Sequence, residues 1–203
     1  MPKLRKTKNR DLRKRILIIC EGKRTEPLYF NGIKRDIRSS GLNIKVMDRP
    51  KNSGLELVKH AVRLKDSAAE ENNEYDSVWI VLDKDTYSKL AETFSEAGKN
   101  NINIAFSSVS FEIWYLLHYV YTTKPWKNCS ELEKELKKHI SDYDKSKSDI
   151  YLILQDRTSA AVANAVRLRE HHKDDIEKGK EIYKLGCYTD VDMLVLKILK
   201  DEK

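Results

Sequence analysis

The stretch that decides the fold is Ile16–Phe30, which reads ILIICEGKRTEPLYF. Its first five residues, Ile16–Cys20, are apolar and rich in β-branched side chains, which is typical of a strand buried on both faces. Glu21 and Gly22 then form a turn, and Pro27 is favourable at the first position of a helix. We therefore predict a core strand that ends in a carboxylate, turns sharply and leads into a helix.

A second stretch repeats the pattern of a buried strand followed by carboxylates. Residues 77–82 read SVWIVL and end in Asp83-Lys84-Asp85. Residues two apart on an extended chain point to the same side, so Asp83 and Asp85 converge. If this strand lies beside the first, Glu21 joins them at the sheet edge where α/β proteins bind ligands. Three facing carboxylates repel one another, and a hard divalent cation such as Mg²⁺ or Mn²⁺ relieves that repulsion.

The order of apolar and amphipathic segments predicts the architecture. Four strand-like runs alternate with helical segments up to about residue 108, which predicts a mostly parallel, four-stranded sheet flanked by helices. From Ser110 onward the patterns are helical. We divide the chain into a basic flexible arm (1–14), an α/β core (15–109) and a helical C-terminal extension packed on the core (110–203).

Composition limits the class of protein. The chain has 203 residues, of which 40% are hydrophobic and 35% charged, and no apolar run is long enough to span a membrane. We therefore expect no membrane association, and no secretory signal is recognised at the basic N-terminus. Cys20, Cys129 and Cys187 are odd in number and far apart. That spacing favours a reducing, cytoplasmic location over a disulfide framework or a zinc site.

The net charge of +7 originates in the arm, because the body of the chain is near neutral. The basic residues of the arm that could hold nucleic-acid phosphates are Lys3, Arg5, Lys6, Lys8, Arg10, Arg13 and Lys14. A solvated terminus that aids solubility explains the same composition equally well. The charge pattern therefore leaves both interpretations open.

Three motifs in this order resemble the RloB family. They are CEGKRTEPLYF at residues 20–30, Asp83-Lys84-Asp85, and SFEIWYLLHY at residues 110–119. The segments Tyr143–Tyr151 and Tyr188–Asp192 are also similar to that family. The resemblance implies a Toprim-like (Rossmann-like) core, in which a Glu after the first strand and an Asp-x-Asp after a later strand act with Mg²⁺. These positions map onto Glu21, Asp83 and Asp85, and Glu26 matches an additional acid of OLD-family nucleases.

The resemblance also implies a function. RloB-like proteins are associated with bacterial anti-phage defence by abortive infection, often beside an ATPase of the RloA type. We therefore expect a Mg²⁺-dependent (or Mn²⁺-dependent) endonuclease that cleaves phosphodiester bonds in RNA, with tRNA as one candidate, or in DNA. The residues leave one-metal and two-metal catalysis open, and they leave open a homo-oligomeric state.

Four further residues near these motifs have both a functional and a structural interpretation. Lys23 is a candidate catalytic contact to the scissile phosphate and Arg24 a candidate nucleic-acid contact, or both belong to a solvated turn. Glu26 is a candidate catalytic metal ligand, or it favours the positive end of its helix. Glu112 interrupts an apolar helix and is either an additional metal ligand or a first-turn acid.

Two other functions remain as alternatives. The first is a non-catalytic regulatory module that binds an RloA-type ATPase or nucleic acid, in which the acids hold a structural cation or cap a helix. The second is a primase-like polymerase, which is less favoured because the chain has no separate template-binding or zinc module.

Overall fold

The computed structural model describes residues 14–20, 22, 24–38, 41–46, 54–84, 89–146 and 149–201. In these ranges the strands are β1 (Ile16–Cys20), β2 (Leu42–Val46), β3 (Ser77–Asp83), β4 (Asn103–Ser108) and β5 (Tyr188–Thr189). The α-helices are α1 (Thr25–Asp36), α2 (Gly54–Glu70), α3 (Leu90–Lys99), α4 (Glu112–Leu117), α5 (Cys129–Leu136), α6 (Ile150–Leu154), α7 (Thr158–His171), α8 (Lys173–Glu177) and α9 (Val191–Asp201). Within the same ranges, no helix combines the length and apolar character needed to cross a membrane.

Strand β1 lies inside the sheet, where β2 and β3 both pair parallel to it. Ile16, Ile18 and Cys20 enter the core that α1 covers, whereas Leu17 and Ile19 enter the core that α2 covers. All five side chains are at most 3% exposed. An uninterrupted apolar run is required here because successive side chains of a strand point to opposite faces, and both faces are covered.

The strand order creates a defined ligand-binding edge. The order is β2-β1-β3-β4-β5. Helix α1 connects β1 to β2, and α2 returns across β1 to β3. Because α1 and α2 pack into different cores, these connections lie on opposite faces of the sheet. The topological switch point is therefore between β1 and β3, and folds of this kind bind ligands beyond the carboxyl ends of those strands.

The predicted mostly parallel α/β sheet flanked by helices is confirmed, but the predicted count of four strands is wrong. Strand β5 adds a fifth, antiparallel to β4, with Thr189 opposite Ser107 and Tyr188 opposite Ser108. A two-residue strand has too few positions for side-chain alternation to identify it in a sequence. Its pairing depends on contact with a strand more than 80 positions earlier. The predicted division at residues 109 and 110 stays a prediction.

Buried polar groups anchor the C-terminal segment to the sheet. Asp190 accepts a 2.6 Å hydrogen bond from the backbone N–H of Phe106. Asp192 is fully buried and accepts two hydrogen bonds, of 2.5 and 2.7 Å, from the guanidinium of Arg169 on α7. Removing the cation would leave a buried and uncompensated carboxylate, which is strongly unfavourable.

We therefore expect Arg169→Ala to lower the free energy of unfolding by roughly 3 kcal/mol, the lower end for buried pairs because Arg169 keeps some exposure. Urea unfolding measures this change. Lys173→Ala is the matched control, since its pair with Glu170 spans 3.4 Å on the surface and contributes less than about 1 kcal/mol. Equal losses in the two variants would contradict a structural role for the Arg169–Asp192 pair.

Candidate functional site

The carboxyl ends of β1 and β3 bring Asp83 next to Cys20. Cys20, the last residue of β1, pairs with Val81 of β3, so β3 continues for two residues beyond β1 and ends at Asp83. Val81 and Cys20 share the core on the α1 side. Because alternate residues of a strand point to the same face, Asp83 also lies on the α1 side.

Glu26 approaches the same place from α1. The helix begins at Thr25, so Pro27 is its third residue and not the predicted first. This shift loses no hydrogen bond, because the first N–H groups of a helix have no intrahelical partner. Glu26 therefore sits in the first turn, where the helix dipole favours a negative charge, and it is 8% exposed. A Cβ atom added to Gly22 would overlap Glu26 Oε2, so only glycine allows this close approach.

The carboxylates of Glu26 and Asp83 both act electrostatically on the thiol of Cys20. Burial raises the pKa of Cys20, and the negative charges of Glu26 and Asp83 raise it further. Two acids from separate elements thus face the carboxyl end of β1, at the switch point of the sheet. We call Glu26 and Asp83 the strand-end carboxylates.

Several predicted site residues lie outside the described residues, and their predicted roles stay predictions. They are Glu21, Lys23 and Asp85 at the strand ends, and Lys3, Arg5, Lys6, Lys8, Arg10 and Arg13 of the arm. Of the predicted nucleic-acid contacts, Lys14 and Arg24 lie within the described residues, and both are exposed. Arg24 immediately precedes α1, and its positive charge acts on Asp144.

Lys84, which follows Asp83 at the end of β3, contacts the C-terminal part of the chain. Its ammonium donates a 3.0 Å hydrogen bond to the backbone carbonyl of Leu185. The Ser108 hydroxyl donates to the same carbonyl at 2.9 Å. Lys84 therefore attaches the end of β3 to the segment that precedes β5.

Glu112 belongs to a second acidic group. Among the described residues, the only three potential metal ligands whose donor atoms all lie within 4.8 Å of one another are Glu112, Cys129 and Glu133. The Nζ of Lys145 lies 3.4 Å from Glu112 Oε1, 2.9 Å from Glu133 Oε1 and 3.1 Å from Cys129 Sγ. We call these four residues the lysine-bridged cluster. Its ammonium already stands where a metal cation would bind.

The chemistry of the lysine-bridged cluster differs from that of the strand-end carboxylates. Burial raises the pKa of Cys129 to about 12, and the charge of Glu112 adds to this effect. Partial burial disfavours the ammonium of Lys145, but its contacts with Glu133 and Glu112 hold its pKa above the ordinary value. A thiol beside two carboxylates is a donor set that suits zinc, whereas Mg²⁺ takes oxygen ligands. Magnesium therefore fits the strand-end carboxylates better.

Two tyrosines connect the two acidic groups. The Tyr115 hydroxyl donates a 2.9 Å hydrogen bond to the carbonyl of Thr25, the residue before Glu26. The Tyr143 hydroxyl donates to Glu112 Oε1 at 3.1 Å, and the two tyrosine rings lie 6.1 Å apart. After burial and the nearby Tyr143, the charges of Glu26 and Glu112 both raise the pKa of Tyr115. The uncharged rings of Tyr115 and Tyr143 therefore lie between the strand-end carboxylates and the lysine-bridged cluster.

Sequence reasoning did not single out Cys129, Glu133 or Lys145. Cys129 and Glu133 are four residues apart, a spacing that places side chains on one face of a helix and could have drawn attention to them. Their meeting with Glu112 and Lys145 depends on how α4, α5 and the following loop pack. No spacing in the sequence shows that packing.

We expect Glu112→Gln to lower the pKa of Cys129, because one negative charge that opposes the thiolate is removed. Below the pKa, each unit of fall gives about ten times more thiolate. The alkylation rate of Cys129 with iodoacetamide between pH 7 and 10, measured by peptide mass spectrometry, should rise accordingly. Glu135→Gln is the control, since Glu135 pairs with Lys138 at 2.9 Å. An equal rise in both variants would contradict the electrostatic explanation.

Comparisons with known proteins establish the family. Neither the curated proteins nor the solved structures include a significant match to this chain. The family model described as RloB-like protein matches residues 16–198, which include β1 and extend into α9. The chain therefore belongs to the RloB-like protein family.

Proposed function

We propose that this RloB-like protein is a Mg²⁺-dependent nuclease of the Toprim type, which cleaves phosphodiester bonds in RNA or DNA as the effector of an anti-phage system. One observation carries the proposal: β3 ends at Asp83, two residues beyond the end of β1, and Glu26 of α1 lies against Gly22, so both acids meet at the carboxyl end of β1. Acids converging at a topological switch point are placed where α/β folds bind phosphorylated ligands.

The donor chemistry of the site fits a hard cation. Glu26 and Asp83 offer carboxylate oxygens; in the sequence Glu21 directly follows β1, and Asp85 lies two residues after Asp83. These four residues would hold Mg²⁺ or Mn²⁺, which supplies a Lewis acid for the phosphoryl group. The chain itself contributes preorganisation. Gly22 lets the Glu26 carboxylate approach the strand end, and the apolar side chains of β1 keep the base of the site dry.

The remaining roles follow from the sequence and from the family. We assign Lys23 to the scissile phosphate, and Arg24 and the basic arm to neighbouring phosphates. An RloA-type ATPase is the proposed protein partner. We place the protein in the cytoplasm, where three free cysteines remain reduced.

We expect the wild-type chain to cleave total cellular RNA or plasmid DNA only when Mg²⁺ or Mn²⁺ is present. Asp83→Ala and Glu26→Gln should each reduce cleavage by about 100-fold or more, the scale of losing one group that stabilises transition-state charge. Mn²⁺ binding, measured by titration calorimetry, should weaken in parallel. This second measurement stays informative if cleavage requires the ATPase.

Glu92→Gln is the matched control, because it removes an exposed acid that pairs with Lys89 on the other side of the sheet. Thermal unfolding verifies that every variant is folded. Unchanged Mn²⁺ affinity in Asp83→Ala would refute the metal site. Unchanged affinity for nucleic acid with no cleavage by any form, with the ATPase present, would favour the regulatory module.

Gly22→Ala tests the geometry without removing a ligand. The new methyl group would displace the end of the flexible Glu26 side chain, so we expect weaker Mn²⁺ binding with less than about 1 kcal/mol of lost stability. Gly98→Ala is the control, since an added Cβ there meets no atom within 4 Å. If both variants bind Mn²⁺ as the wild type does, Glu26 is not a ligand.

A further inference from the structure

The segment that follows α4 carries three aromatic rings, and each ring is covered by a cation. The guanidinium carbon of Arg157 lies 5.0 Å from the Tyr119 ring centre, and that of Arg167 lies 4.0 Å from the Tyr121 ring centre. The Nζ of Lys124 lies 4.1 Å from the Trp126 ring centre. We call residues 119–126, with Arg157 and Arg167, the cation–aromatic surface.

The packing of neighbouring elements holds this surface in place. On the α7 side, Asn164 Nδ2 donates a 2.8 Å hydrogen bond to the carbonyl of Leu117. The ring of His139 stacks on Tyr119 at 5.3 Å with an interplanar angle of 20°. Farther along, Pro125 packs so closely on Gly186 that an added Cβ would come within 2.8 Å of it. The rings and cations are therefore preorganised.

The cations of this surface have no acidic partner within the described parts of the chain. Lys124, Arg157 and Arg167 are exposed, and none of them forms a salt bridge among those residues. Glu135, on whose carboxylate Lys124 has a minor electrostatic effect, is itself paired with Lys138. The surface thus keeps positive charge available to an anionic partner.

The geometry suits a strand of nucleic acid with unpaired bases. An arginine that lies flat on a ring keeps its N–H edge for a phosphate, and its outer plane can stack on a base. Val120, 37% exposed between the two tyrosines, adds an apolar contact that a phosphate alone does not use. Proteins that bind single strands combine positive charge along the backbone with flat groups on which bases stack, and the exposed guanidinium planes of Arg157 and Arg167 offer both.

The surface also lies within reach of the acidic groups. Glu112 begins α4, and Tyr119 follows seven residues later on a helical turn that continues it. At 1.5 Å per residue the separation is about 10 Å. Tyr115, midway along α4, already contacts Thr25 beside Glu26.

We propose that the cation–aromatic surface binds single-stranded nucleic acid and directs it toward the strand-end carboxylates. The direction of the strand rests on the proposed nuclease function, whereas the binding does not. Single-stranded nucleic acid is therefore the substrate class of this protein, and the basic arm adds contacts that are independent of sequence.

Fluorescence anisotropy in EDTA tests the binding, because no metal-dependent cleavage occurs there. The probes are uridine and thymidine 12-mers, a 12-base-pair duplex and polyglutamate. We expect the double variant Arg157→Ala/Arg167→Ala to weaken binding of the 12-mers by tenfold or more. The slope of log affinity against log salt should fall by about 0.7 for each lost phosphate contact.

Lys59→Ala/Arg63→Ala is the matched control, because it removes the same charge from α2, which packs on the opposite face of the sheet. Tyr119→Leu keeps the charge and should weaken binding of the 12-mers but not of inorganic polyphosphate. Thermal unfolding verifies folding. The proposal would be overturned if the Arg157→Ala/Arg167→Ala variant and the control lost equal affinity for the 12-mers. It would also be overturned if the wild type bound the duplex or polyglutamate as tightly as the 12-mers.

The result of the binding assay can be interpreted separately from that of the nuclease assay. If the Arg157→Ala/Arg167→Ala variant binds the 12-mers weakly in EDTA, the proposed binding surface is supported even if no form of the protein cleaves. If the Arg157→Ala/Arg167→Ala variant still cleaves and its affinity for the 12-mers is unchanged, the nuclease function is supported and the proposed binding surface is overturned. The proposed binding surface is also overturned if deletion of residues 1–14 abolishes all binding while the Arg157→Ala/Arg167→Ala variant binds as the wild type does.

Discussion

The burial of β1 on both faces is the constraint on which the rest of the structure depends. Five apolar residues between two parallel neighbours allow no charge until the strand has ended. The first position where a carboxylate can meet solvent or a cation is therefore beyond Cys20. Asp83 reaches this place because β3 is two residues longer, and Glu26 reaches it because Gly22 leaves room. The position of the candidate site is a consequence of where the core stops.

The two acidic groups illustrate different solutions to one electrostatic problem. In the lysine-bridged cluster an ammonium from the same chain compensates the carboxylates, so the group is complete without a ligand. At the end of β1, burial raises the pKa of the Cys20 thiol, and the nearby strand-end carboxylates raise it further. An internal lysine indicates a structural role for the first group, whereas the oxygen donors of the second group suit the cation that we propose there.

The proposed nuclease would also need a way to hold its substrate beyond the reacting phosphate. The basic arm contributes charge, and the cation–aromatic surface contributes cations that aromatic rings hold in place. Fixed rings reduce the ordering cost of binding because fewer side chains lose freedom. The helix α4 connects these functions physically, since it begins at Glu112, passes Tyr115 and ends before Tyr119.

The sequence by itself determined the strands β1 to β4, the parallel order of α/β units and Asp83 at a strand end. These features follow from local rules, since periodicity and turn residues act over a few positions. Only the tertiary structure decided that β5 joins the sheet, that Glu112 meets Cys129 and Lys145, and that Arg157 covers Tyr119. Each of these contacts joins residues from separate elements, so its free energy appears only when the elements pack and no periodicity along the chain records it.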